Sequence, residues 1–86
     1  MQKITYIVKA ERGIHLLHAN QLADLAKHYP DTTATMTMGT RTADVAQLMQ
    51  VAKMGVRKDD VIAITAEGPS EVELLDVLHQ YFEANL

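Results

Sequence analysis

Two histidines near the N-terminus are the side chains best suited to chemistry, because a glycine bend and a helix start surround them. Residues 13–19 have the sequence Gly-Ile-His-Leu-Leu-His-Ala, so the histidines are His15 and His18. An apolar strand pattern over residues 4–8 comes before this stretch, and a helical pattern that includes Ala19 comes after it. The histidines are therefore predicted to lie where a strand gives way to a helix.

The start of a helix stabilises an anion. Its first-turn N–H groups have no partners within the helix, and the helix dipole adds roughly +0.5 charge there. A phosphoryl group carried by a histidine is such an anion. The same field disfavours imidazolium and helps to keep the ring neutral, which a nucleophilic nitrogen requires. We therefore hypothesise that His15 accepts a phosphoryl group and passes it on.

Size, charge and cysteine content narrow the class of protein. The 86 residues predict a single domain, residues 1–86, and the apolar content of 48% is typical of a globular protein. With 8 basic and 11 acidic residues the net charge is −3, which argues against a nucleic-acid-binding domain. The absence of cysteine favours a reducing compartment, and no apolar run is long enough for a signal peptide or a membrane span. We expect a cytoplasmic monomer without membrane insertion.

Changes in apolar spacing divide the chain into seven elements. The predicted strands cover residues 2–9, 32–37, 40–43 and 61–66, and the predicted helices cover residues 16–28, residues 45–54 and a final stretch after Ser70. The order strand–helix–strand–strand–helix–strand–helix predicts an α+β fold. This fold is an open-faced β-sandwich, with three helices on one face of a four-stranded, mainly antiparallel sheet. Apolar residues on both faces of the strand at 61–66 suit a central position.

Residues with capping propensity mark the ends of the later helices. Thr42 or Asp44 is expected to cap the start of the second helix, and Gly55 to end it in the left-handed conformation. Ser70 and Glu73 have the spacing of a capping box, which predicts the start of the third helix.

Several landmarks recur at a characteristic spacing over essentially the whole chain. They are Gly13-Ile14-His15 before the first helix, Ala19 within it, Tyr29 near its end, Gly39 in the hairpin, Leu48-Met49, Met54-Gly55-Val56 and residues 64–68. Together with the length and the order of elements, they resemble HPr, the histidine-containing phosphocarrier family of the bacterial phosphoenolpyruvate:sugar phosphotransferase system. The resemblance implies that His15 carries a phosphoryl group between Enzyme I and A-type sugar-specific acceptor proteins. Such a carrier uses no cofactor and is a co-substrate of kinases, with no turnover of its own.

The histidine motif departs from the family pattern at two positions. The usual sequence is G-[LI]-H-x-R-P-A, whereas here Leu17 replaces the arginine and His18 replaces the proline. A guanidinium beside a phosphoryl group contributes charge-assisted hydrogen bonds of about 1.5–3 kcal/mol each. Its loss is expected to make phospho-His15 about ten- to a hundredfold more readily discharged.

The remaining phosphate-binding groups are expected on the backbone and on one nearby cation. The amides of Leu16 and Leu17 still offer their hydrogens, and Arg12 is close enough in sequence to take over from the missing arginine. Three roles stay open for His18: a donor to the phosphoryl group, a second phosphoryl acceptor, or an exposed side chain. Because His15 and His18 have no nearby third ligand, we expect no metal.

Apolar residues beside His15 predict a docking surface for protein partners. Leu16 and Leu17 could form it together with Leu48, Met49 and Val51, since exposed apolar patches mark partner surfaces. The alternative is that the residues of the second helix belong to the core. A second hypothesis for function follows: an HPr-like regulatory paralogue that docks on a protein with little or no phosphoryl transfer. A third is an unrelated small α/β interaction domain.

Overall fold

The computed structural model describes all residues from 1 to 86. Four strands and three helices form where the apolar periodicity changes. The strands are β1 (Gln2–Ile7), β2 (Thr33–Met38), β3 (Arg41–Asp44) and β4 (Val61–Glu67). The helices are α1 (Leu16–Lys27), α2 (Leu48–Lys53) and α3 (Glu71–Asn85). The predicted order of elements is confirmed, and the start of α2 is the boundary that differs most.

β4 lies in the middle of a four-stranded sheet with the order β1-β4-β2-β3. It pairs antiparallel with β1 on one side and with β2 on the other, and β2 pairs antiparallel with β3. In this register Ile64 lies opposite Ile4 of β1 and opposite Met36 of β2. The central position predicted from the two apolar faces of this strand is therefore confirmed.

The hydrophobic core lies between one face of the sheet and the helices. Ile62 and Ile64 of β4 are fully buried, because alternate residues of a strand point to the same face. Helix α1 buries Ala19 and Ala23, whose short side chains allow a close approach, and α3 buries Phe82. This packing confirms the predicted α+β open-faced β-sandwich with three helices.

The other face of the sheet is open to solvent. Ile7 of β1 and Val61 of β4 lie opposite each other there and are 55% and 54% exposed. No helix of the protein combines the length and the apolar character that a membrane crossing requires.

Helix α2 begins later than the sequence predicts. Val45 has a helical spacing relative to the residues that follow, but it is fully buried and its N–H donates to the Ala34 carbonyl of β2 (N···O 2.9 Å). The backbone therefore stays alongside β2 until the helix begins at Leu48.

The N-cap of α2 is Gln47, so the prediction of Thr42 or Asp44 in this role is wrong. The Gln47 side chain makes no capping hydrogen bond. Asp44 accepts a hydrogen bond from the Ala46 N–H instead (N···Oδ1 2.9 Å), and this bond closes the turn before the helix. At the other end the prediction is confirmed, because Gly55 follows the helix with φ +69°.

Helix α3 begins with a contact from a distant loop. Ser70 is its N-cap residue, but the Ser70 hydroxyl makes no capping hydrogen bond, so the predicted capping box of Ser70 and Glu73 is wrong. The Ser70 N–H instead donates to Oγ1 of Thr32, at 2.9 Å. Thr32 is buried, with 8% exposure, and lies in the loop before β2.

Candidate functional site

Two histidine rings cap the N-terminus of α1, and each ring accepts a hydrogen bond from a backbone N–H at the start of the helix. His15 is the N-cap residue and has an extended backbone (φ −111°, ψ −177°). Its Nδ1 accepts a hydrogen bond from the Leu17 N–H (N···N 3.4 Å). In return, the His15 N–H donates to Nδ1 of His18 (N···N 3.5 Å). The result is a capping box in which imidazole nitrogens replace the usual side-chain oxygens.

The backbone before His15 packs closely against the loop that follows α2. Gly13 has φ +65°, and a Cβ atom there would lie 2.1 Å from the carbonyl oxygen of Val56 and 2.6 Å from Cα of Arg57. The next residue, Ile14, is buried and donates its N–H to the same carbonyl (3.1 Å). Only glycine fits this conformation and this contact. The contact therefore fixes the point from which His15 extends.

The exposed His15 ring is held in one tautomer by its hydrogen bond. Because Nδ1 accepts from the Leu17 N–H, a neutral ring carries its proton on Nε2. The lone pair of Nδ1 then faces the first turn of α1, whose N–H groups stabilise an anion. Nδ1 is therefore the ring nitrogen whose unprotonated lone pair lies beside the amide donors of the helix start.

His18 is half-buried beside His15. Their ring centroids are 4.1 Å apart, and the rings are tilted by 44°. Burial lowers the pKa of His18, the neighbouring His15 lowers it further, and a hydrogen bond with the Gly13 backbone opposes both effects. A neutral His18 ring is therefore favoured at neutral pH. Its partial burial and its bond to the His15 N–H exclude the role of a merely exposed side chain.

Arg12, the predicted cationic phosphate ligand, makes no hydrogen bond to this pair. It is exposed in the turn between β1 and α1. The histidines also belong to no group of three or more His, Asp or Glu side chains that could hold a metal ion. The structure thus brings together the two rings and the Leu17 amide.

The predicted docking residues divide into exposed and buried side chains. Leu16, Leu17 and Met49 are 58%, 56% and 58% exposed. Leu48 is partly buried and packs against the core, on a helix that contacts α1. Val51 is only 1% exposed, so its assignment to a docking surface is wrong. Its side chain points inward from α2 and cannot contact a partner.

Fold and site together define a small open-faced α+β sandwich with a histidine at the N-terminus of its first helix. The profile of the family PTS-HPr, described as "PTS HPr component phosphorylation site", matches residues 2–84. The chain therefore belongs to the HPr family of phosphotransferase-system phosphocarrier proteins.

Known proteins are similar to most of this chain. The phosphocarrier protein HPr of Vibrio cholerae is 33% identical over 79 residues, which cover 84% of this chain and 92% of that protein. The HPr of Mycoplasma pneumoniae is 26% identical over 83 residues, which cover 96% of this chain and 94% of that protein. The phosphoryl donor subunit DhaM of a PEP-dependent dihydroxyacetone kinase, from Providencia stuartii, is 30% identical over 82 residues. This last match covers 93% of the present chain but only 17% of DhaM.

Solved structures show the same fold. HPr-C-His from Thermoanaerobacter tengcongensis has a TM-score of 0.90 at 21% identity, and the match covers 98% of this chain and 93% of that chain. HPr from Bacillus anthracis has a TM-score of 0.85 at 18% identity, with coverage of 94% and 95%. The structures support the fold, and the family supports the function. The predicted function as a phosphocarrier of the phosphotransferase system is thereby confirmed.

Proposed function

We propose that Nδ1 of His15 accepts a phosphoryl group from Enzyme I and passes it to A-type sugar-specific acceptor proteins. The Nδ1 lone pair forms the new bond to phosphorus, while the donor's bond to phosphorus breaks and its electron pair stays on the donor. Transfer to the acceptor repeats these steps, with Nδ1 as the leaving group. The proposal depends on the 3.4 Å contact between His15 Nδ1 and the Leu17 N–H, because this contact directs the lone pair at the helix N-terminus.

The phosphoryl oxygens are proposed to bind the amides of Leu16 and Leu17, with Arg12 as a cation from the preceding turn. Phosphorylation converts Nδ1 from a hydrogen-bond acceptor into a substituted nitrogen. The Leu17 N–H then has an oxygen acceptor within reach in place of the ring nitrogen. Hydrogen bonds to a charged oxygen are shorter and roughly twice as strong as neutral ones. The first turn of α1 is therefore expected to bind the phosphorylated form without a change of fold.

Partner proteins are proposed to dock on the exposed apolar residues around His15. Leu16 and Leu17 flank the histidine directly, and Met49 with the partly buried Leu48 adds a second apolar element from α2. Helices α1 and α2 pack against each other, which supports one continuous surface. We also propose that the protein acts in the cytoplasm, and the absence of cysteine supports a reducing compartment.

The similarity to DhaM supports a second class of acceptor. That relative is named as the phosphoryl donor subunit of a PEP-dependent dihydroxyacetone kinase. A phosphorylated sample of the present chain should therefore be offered both to A-type sugar-specific proteins and to dihydroxyacetone kinase components. The protein to which the carrier transfers its labelled phosphoryl group identifies the acceptor class.

Phosphoryl transfer from phosphoenolpyruvate tests the role of His15. The protein, Enzyme I and phosphoenolpyruvate should give acid-labile, base-stable phosphate on the intact chain. His15→Asn should abolish this label and remain folded, because asparagine is itself a good N-cap residue. His28→Gln changes an exposed histidine at the far end of α1 and should keep the label.

Two outcomes would contradict the proposal. Label on His15→Asn would assign the phosphoryl group to another residue. No label on any form, including the unmodified chain, would favour the docking paralogue with little or no phosphoryl transfer.

A further inference from the structure

His18 has no part in the transfer chemistry described so far, yet its ring lies against the ring of His15. The two centroids are 4.1 Å apart. The His15 N–H donates to Nδ1 of His18 at 3.5 Å, which holds the His18 ring beside the first turn of α1. A phosphoryl group on Nδ1 of His15 would therefore be a close neighbour of His18.

Before phosphorylation, the surroundings of His18 disfavour a second proton on its ring. Burial is the largest cause of its lowered pKa, His15 lowers the pKa further, and the Gly13 backbone partly opposes them. Helices α2 and α3 both pack against α1, but neither contributes a charged group to this balance. The neutral ring accepts at Nδ1 and holds its single proton on Nε2.

Phosphorylation changes the charge that faces His18. A phosphoryl group carries about −1.5 to −2 charge near pH 7, by analogy with other phosphorylated side chains. An opposite charge within about 4–6 Å favours the protonated form of a histidine, so the pKa of His18 should rise. A protonated imidazole donates from both nitrogens and accepts from neither. His18 would then release the His15 N–H and could donate to a phosphoryl oxygen.

We propose that His18 takes up one proton from solvent when His15 becomes phosphorylated, and that the imidazolium then pairs with the phosphoryl oxygens. This inference rests on the proposed function of His15. The proton binds the lone pair of His18 Nδ1, and the bond between phosphorus and His15 is unchanged. His18 is thus a positioning residue whose charge is present only in the phosphorylated protein.

Proton uptake links phosphorylation to pH with a definite sign. Between the lowered pKa of His18 in the free protein and its raised pKa in the phosphoprotein, phosphorylation binds one proton at this residue. The equilibrium should therefore favour phosphorylation more strongly as pH falls, by up to about tenfold per pH unit from His18. The difference between wild type and His18→Gln isolates the contribution of His18 to this pH dependence.

Nuclear magnetic resonance of the ring nitrogens measures the titration of His18 directly. The full chain is labelled with ¹⁵N and titrated before and after phosphorylation with phosphoramidate, a small phosphoryl donor that needs no partner protein. We expect the pKa of His18 to lie below that of an ordinary histidine in the free protein and above it in the phosphoprotein. An unchanged or lower pKa of His18 after phosphorylation would overturn the proposal.

Two variants separate charge from structure. His18→Gln keeps a polar side chain without a titratable charge, and its phosphoprotein should hydrolyse about tenfold faster than wild type, as expected for the loss of one charge-assisted hydrogen bond. His18→Lys carries a permanent cation and should restore most of the lifetime, without the wild-type dependence on pH. Equal lifetimes of wild type and His18→Gln between pH 6 and 8 would contradict the proposed pairing.

Failure of this inference is distinguishable from failure of the proposed function. Loading of His15 by phosphoramidate but not by Enzyme I would refute the proposed donor, while the titration of His18 would still decide the present proposal. Stable phosphate found on the ring of His18 itself would overturn the proposal, because His18 would then be an acceptor.

Discussion

The nitrogen atoms that cap α1 make long hydrogen bonds, and their length matters for the chemistry of His15. The N···N contacts of 3.4 and 3.5 Å are longer than the 2.9–3.0 Å that is typical of N–H···O bonds in proteins. The amides of the first turn are therefore weakly satisfied in the free protein. A phosphoryl oxygen is a stronger acceptor than a ring nitrogen, so the same amides are free to exchange one partner for the other.

At the same scale, Gly13 and Gly39 form a matched pair for mutation. Both have left-handed backbones, with φ +65° and +63°, but an added Cβ meets Val56 only at Gly13 and meets nothing within 4 Å at Gly39. Gly39→Ala should lower the free energy of unfolding by about 1–2 kcal/mol, the cost of a left-handed side-chain residue. Gly13→Ala should lower it by about 1–3 kcal/mol more, because the loop after α2 must also move.

Urea unfolding of the two variants measures both costs. Equal losses of stability would show that the contact of Gly13 with the loop after α2 is not maintained in solution. Gly39→Ala should retain phosphorylation, whereas Gly13→Ala displaces the backbone that precedes His15 and should reduce it.

At the scale of elements, helix starts depend on residues far away in the chain. Helix α3 has its N-cap amide bound by Thr32 of another loop, and α2 starts late because Val45 first bonds to Ala34 of β2. In each case the contact crosses between two elements. Helix boundaries in this protein are therefore set partly by tertiary structure, in addition to local sequence.

Thr32 and Ser70 test this point. Thr32→Val removes the oxygen that accepts the Ser70 N–H at 2.9 Å and leaves a partly buried donor unpaired. We expect the free energy of unfolding to fall by about 1–3 kcal/mol. Ser70→Ala removes a hydroxyl without a capping bond and should change it by less than about 0.5 kcal/mol. A larger effect of Ser70→Ala in thermal or urea unfolding would show that the local capping box forms after all.

The same comparison explains how far the sequence predicts the fold. The alternation in β4 and the apolar stripes of α1 and α3 are local and strong, so the order of elements and the central strand followed from them. The start of α2 and the cap of α3 could not be predicted from this local pattern. They depend on hydrogen bonds between distant residues, Val45 with Ala34 and Ser70 with Thr32. Periodicity contains no information on such contacts.

The site was predictable to a similar extent. The bend at Gly13 and the helical pattern after it placed His15 at the start of α1. The reciprocal cap with His18 was missed, because it depends on two ring orientations that spacing does not determine. A signal was present nonetheless: His15 and His18 are three residues apart, which is the N-cap and N3 spacing of a capping box. The sequence could not separate Val51 from Met49 as docking residues, because both are apolar and only their burial in the fold differs.

At the scale of the whole molecule, exposed apolar residues lie on more than one side. Met49 of α2 is 58% exposed, and Val72 at the start of α3 is 66% exposed. Val72 lies beside Gln2 and Lys3, at the start of β1, whereas the loop to His15 leaves from the other end of that strand. The two residues are therefore similar in exposure and different in their relation to the site.

This difference provides a test of partner docking. Met49→Asp should weaken the interaction with Enzyme I and raise the KM for phosphoryl transfer about tenfold or more, since an exposed apolar anchor becomes a charge. Val72→Asp should leave KM unchanged. Both variants should unfold near the wild-type Tm, because neither side chain is in the core. Equal KM values for both would place the partner surface elsewhere.

The central position of β4 has a consequence for the synthesis of the chain. The only strand that pairs with β1 is β4, so Ile7 has no pairing partner until Val61 has been synthesised. The N-terminal strand therefore leaves the ribosome without a partner, and at typical translation rates the delay is on the order of several seconds. Of the strand pairs in the sheet, only the β2–β3 hairpin can form before β4 is available. The strand that leads into the histidine loop thus gains its pairing partner only after β4 has been synthesised.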